Sequence, residues 1–218
     1  MNKTKMTVAE FLFQCNLRIS NTINDGAIQE KVAPMGYTAE KMQEGNVLLE
    51  SAKDSCQAFE KEHGDVDHAF ADRNREKEAA HITYMQMVEI GKVALKNDTG
   101  AQSTLQLTGR RPTTWSGWIK QTRNFYHNLM ENEPWMAAMA GFGMTEEKMQ
   151  AGLEQVLRVE KFAEVIMREQ GDAQNATQQR DAKLEELHEW VSDYEVIARL
   201  ALTESPQLLE KLGIVVKA

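Results

Sequence analysis

Only two cysteines and four prolines occur among the 218 residues. Two thiols cannot build the multi-bridge framework of a small secreted domain. Cys15 and Cys56 both stand among apolar positions of helical segments, which predicts reduced core thiols. No apolar stretch approaches the ~20 residues that a membrane span requires. Lys3 and Lys5 could open a signal peptide, but Glu10 and Gln14 interrupt the apolar run that should follow, and no small-residue cleavage site appears. The expected compartment is the cytoplasm. Basic side chains are outnumbered by acidic ones, 25 to 33, for a formal net charge of −8. Such a balance argues against broad binding to nucleic acid or to an anionic membrane. Acidic residues are themselves missing from Thr99 to Met130. Segments of alternating polarity are missing throughout, which excludes half-buried strands and predicts an all-α chain.

What the sequence does contain is a repeat. Met35-Gly36-Tyr37-Thr38-Ala39-Glu40-Lys41-Met42-Gln43-Glu44-Gly45 returns as Phe142-Gly143-Met144-Thr145-Glu146-Glu147-Lys148-Met149-Gln150-Ala151-Gly152, at an offset of 107. Extended without a gap, the register gives 21 identities in the 90 pairs that begin at Thr7 and Thr114. It matches Glu62, Gly64 and Asp65 with Glu169, Gly171 and Asp172, and Ile90, Ala94 and Leu95 with Ile197, Ala201 and Leu202. The fold expected is therefore an internally duplicated helical bundle of two units of about 107 residues.

Local signals divide each unit. Thr7 with Glu10 three residues on is a capping box that opens a first helix. The chain breaks at Asp25-Gly26 in one copy and at Glu133-Pro134 in the other, and a short helix follows over 27–33 or 134–140. Gly36 and Gly143 can take a left-handed conformation past that helix, while Thr38 and Thr145 cap the next one. Gly64-Asp65 and Gly171-Asp172 read as tight turns, each folding two helices into a long antiparallel hairpin. In the last helix, Leu184, Leu187, Val191, Tyr194, Ala198 and Ala201 keep alternating steps of three and four, a stripe that must be buried. The organisation expected is a first repeat over 1–96, a linker over 97–113, a second repeat over 114–203 and a short helix with its tail over 204–218. A pseudo-two-fold axis relates the repeats, and they fold as one cooperative domain.

Two constellations could carry chemistry. Glu78-x-x-His81 recurs as Glu185-x-x-His188. A Glu-x-x-His on each of two bundle helices is the ligand pattern of ferritin-like di-metal proteins, because the i, i+3 spacing sets a carboxylate and an imidazole on one face. With a hairpin at Gly64, the partner helix brings residues 47–50 beside His81. Glu50 fits there, but its repeat mate is Leu157, so half of the ligand set is missing. The second constellation is basic and aromatic: Arg110, Arg111, Lys120 and Arg123 interleave with Trp115 and Trp118 over 110–126. Basic groups with stacking rings can hold anions or single-stranded nucleic acid. Against that, the other repeat has no matching patch, and rings beside arginines also serve internal packing. No Cys-x-x-Cys, phosphate-cradling glycine loop or nucleophile elbow is present, and no cofactor is expected.

The segment Gly109-Arg110-Arg111-Pro112-Thr113-Thr114-Trp115-Ser116-Gly117-Trp118-Ile119-Lys120-Gln121-Thr122-Arg123-Asn124-Phe125-Tyr126 and the paired Gly-x-Thr-x-Glu-Lys-Met-Gln-x-Gly resemble those of a bacterial family of all-helical proteins with a tandem two-unit layout. The resemblance covers nearly the whole chain. It implies the architecture, and since no activity is established for that family it transfers no site residue. The function expected is that of a non-enzymatic interaction or scaffold module, with a protein partner or a second copy of itself.

Overall fold

Helix is the only regular structure among the described residues, 6–215 of the computed structural model. Lys3 and Lys5 lie outside them. The helices are α1 (Val8–Asn24), α2 (Gly26–Val32), α3 (Ala39–Ala94), α4 (Thr99–Thr104), α5 (Trp115–Met130), α6 (Glu133–Ala140), α7 (Glu146–Ala201) and α8 (Pro206–Lys211). None is long and apolar enough to cross a membrane.

Short-range chemistry sets most helix ends. The Thr7 hydroxyl accepts from the Glu10 amide at 3.2 Å, and the Glu10 carboxylate accepts from the Thr7 amide at 2.9 Å, which completes the capping box. Asp25 caps α2 and Asn132 caps α6, the same joint made with an acid in one place and an amide in the other. Gly36 and Gly143 adopt φ of +97° and +76°, the left-handed geometry that glycine reaches without a Cβ penalty.

The expected hairpins are not there. α3 and α7 are single helices of 56 residues that continue without a break through Gly64-Asp65 and Gly171-Asp172. Glycine stops a helix by turning left-handed, and neither Gly64 nor Gly171 has a positive φ. Inside a helix, a glycine costs only about 1 kcal/mol relative to alanine, a loss that packing on both sides can outweigh. Glu50 and His81 thus lie on one continuous helix and do not face each other across a hairpin.

The chain divides into two units, each discontinuous in sequence. The first holds Met1–His63 with Asp172–Ala218; the second is Gly64–Gly171. Each therefore combines the N-terminal half of one long helix with the C-terminal half of the other. In the first unit, Cys15 and Ile19 of α1, Met42 and Leu49 of α3, and Leu187 and Tyr194 of α7 share one core. The two half-helices run antiparallel there: Gly45 lies against Trp190, the Arg180 guanidinium sits 3.9 Å from the Phe59 ring, and His63 meets Thr177 at 3.2 Å. In the second unit, Trp118 and Phe125 of α5, Tyr84 and Val88 of α3, and Met149 and Val156 of α7 form the core.

Residues 97–113, expected as a linker, contain α4. Asp98 caps it through the Ala101 amide at 2.9 Å, and Ala101, Leu105 and Leu107 are buried. It starts 107 residues before α8, as α1 does before α5 and α3 before α7. Both short helices end on a left-handed residue, Gln106 at φ +48° and Gly213 at φ +66°.

Candidate functional site

In the second unit, α5 lies beside the first half of α7 with an open groove of about 610 Å³ between them. Thr114 starts α5 by accepting from the Gly117 amide at 3.3 Å. From there the helical repeat sends Trp115, Ile119, Arg123 and His127 down one stripe, with Ser116, Lys120 and Asn124 beside them. Across the groove stand Leu153, Leu157, Glu160 and Ala163 of α7. Ile119 is buried, and the two leucines are half-buried, so the floor is apolar.

The rim is charged. Arg123 Nη1 reaches both carboxylate oxygens of Glu160, at 3.0 and 3.1 Å. His127 lies 3.3 Å from Glu131 on its own helix turn. Lys120 is exposed, and no hydrogen bond or ion pair engages its ammonium among the described residues. A groove with an apolar floor, an exposed cation in Lys120 that no described residue pairs, and the Arg123-bound carboxylate of Glu160 suits an acidic, amphipathic ligand.

The six residues of the basic aromatic segment have different tasks. Trp115, Lys120 and Arg123 line the groove. Trp118 faces inward: it is buried and donates through its indole N–H to Nδ1 of His81 at 3.1 Å, with the Lys77 ammonium 5.6 Å from its ring. Arg111 is bound to the chain itself. Its guanidinium donates to the Gln106 carbonyl and, at 3.2 Å, to the Leu107 carbonyl, and it lies 5.6 Å from the Tyr84 ring. Arg110 is exposed and lines no part of the groove.

The two Glu-x-x-His motifs fall in different units, Glu78 and His81 in the second, Glu185 and His188 in the first. Glu78, Glu185 and His188 are exposed, and the His188 ring packs 5.9 Å from Phe11. His81 accepts the Trp118 proton at Nδ1, which occupies one of its two possible ligand atoms. Among the described residues, none of these four belongs to a group of three ligand atoms close enough to share a cation.

Sequence reasoning missed the α7 wall. In 146–171 the core stripe is Met149, Gly152, Val156, Val159 and Ile166. Leu153 and Leu157 are apolar residues one position beyond it, and that widening of the stripe was the available signal. No family model, curated protein or solved structure matches the chain.

Proposed function

We propose that the chain is a tandem duplication that works as a non-enzymatic helical scaffold, taking a helix of a protein partner into the groove between α5 and α7. The groove carries this reading. It runs from Trp115 to His127, about three turns, over an apolar floor, and its unpaired Lys120 stands on a chain of net charge −8. Helix-in-groove recognition needs such an apolar channel with charge at its edge to set the register. The duplication is supported by helix starts and left-handed turns that recur at 107 residues even where the side chains differ. This reading includes kinship with the bacterial two-unit family that the paired motifs resemble. The free thiols of Cys15 and Cys56 fit a reducing, cytoplasmic setting.

Affinity capture from a lysate of the native cell tests the reading, comparing the natural chain with Leu157→Glu, which puts a carboxylate on the groove floor. A protein retained by the first and lost from the second is the expected result. Equal retention by both sinks the assignment of the groove.

A further inference from the structure

We propose that the partner helix is supplied by a second copy of this chain, the acidic start of α3 in one molecule lying in the α5/α7 groove of another. This deepens the reading above and rests on it. The groove asks for a short apolar stripe flanked by carboxylates, since its one acid, Glu160, is already held by Arg123 and its free charge is Lys120. No acidic residue stands between Thr99 and Met130, so α5 is a basic element in an acidic protein.

The chain itself carries the complement. At the beginning of α3, Glu40, Gln43, Glu44 and Val47 occupy one exposed face, with Leu48 half-buried at its edge. Val47 is 59% exposed, and that face lies open. Glu40, Glu44 and Val47 follow i, i+4, i+7 spacing, which places both carboxylates along the same stripe as the valine. Among the described residues, Glu44 is engaged by Lys41, at 2.7 Å in an exposed i, i+3 pair, which a stronger contact can replace. The other open apolar face of α3, around Ile82 and Met85, carries one acid, Glu89, in the same kind of exposed i, i+3 pair, and so offers the groove one carboxylate where the start of α3 offers two. Because groove and acidic face are different surfaces, the contact is heterologous.

Sedimentation velocity of the full chain tests this. The natural chain should gain mass with concentration and lose it as salt rises. Lys120→Glu spoils the groove and Val47→Lys spoils the acidic face, both at exposed positions. Each variant alone should stay monomeric, and an equimolar mixture should form a one-to-one dimer, because each variant keeps the surface that the other lacks. A natural chain that is monomeric at every concentration overturns the inference. So does an oligomer indifferent to both substitutions. A monomer that still captures a different protein through the groove also overturns it, while leaving the groove reading in place.

Discussion

Tyr194 and Cys15 are buried in the core of the first unit, and burial penalises the charged form of each. Desolvation pushes the Tyr194 hydroxyl up to about 12, against a smaller opposing effect of its hydrogen bond with Thr22. The Cys15 thiol is pushed up to about 11, with Arg18 acting weakly in the other direction. In both cases the folded state holds its proton more tightly than the unfolded chain. Their contribution to stability is therefore complete below about pH 9 and is lost as pH rises towards 11 and 12. Urea midpoints should be level from pH 7 to 8.5 and fall steadily above pH 9. Tyr194→Phe should reduce that alkaline slope and cost about 1 kcal/mol at neutral pH, the usual worth of a hydrogen bond. An unchanged slope in the variant would place the alkaline loss elsewhere.

Among elements, the two long helices set the sharpest contrast between glycines. Gly64 and Gly171 are helical, and a Cβ added to either meets nothing within 4 Å. Gly45 and Gly152 also stand 107 residues apart, but a Cβ there would enter the ring of Trp190 or of Tyr126. Gly64→Ala and Gly171→Ala should each stabilise by about 0.5–1 kcal/mol, because alanine is the better helix former. Gly45→Ala and Gly152→Ala should each cost about 1–3 kcal/mol through overpacking. Denaturant titration of the four variants checks this, and destabilisation by Gly64→Ala would contradict a continuous α3. The helix starts at Thr7, Thr38, Thr114 and Thr145 were legible in the sequence because a cap is made by residues within one turn. The passage through Gly64-Asp65 was not, because the same dipeptide suits a turn or a helix interior, and long-range packing chooses between them. α4 escaped for a related reason: its polar Gly, Gln, Ser and Thr residues show no apolar period, and its support comes from the Asp98 cap and three buried apolar residues.

At the scale of the molecule, each unit is assembled from both halves of the sequence. Met42 and Leu49 of the first half of the chain are buried with Leu187 and Tyr194 of the second half. A chain cut after Gly109 lacks those partners and retains, in residues 64–94, the stretch that stands 107 positions before the missing helix half. Such a half-chain should be unfolded as a monomer and should gain helix only on dimerising, when each copy lends the other its second half. Circular dichroism and sedimentation across concentration check this, and a folded monomeric half-chain would contradict the division of the units. The candidate groove belongs to this scale too. Trp115, Lys120 and Arg123 stood out as a basic aromatic run, yet the run alone did not separate them from Trp118 and Arg111, which are spent on His81 and on backbone carbonyls.

By itself, the sequence determined that the chain is helical and where most helices start, since caps, glycine turns and apolar stripes act over a few residues. Tertiary structure alone decided that α3 and α7 continue unbroken, that each core draws on both halves of the chain, and which of the basic and aromatic side chains reach the groove. Those outcomes depend mainly on contacts between residues distant in the chain, 37 positions apart for His81 and Trp118 and 114 for His63 and Thr177, where burial of one helix half by another outweighs the small local cost of a glycine.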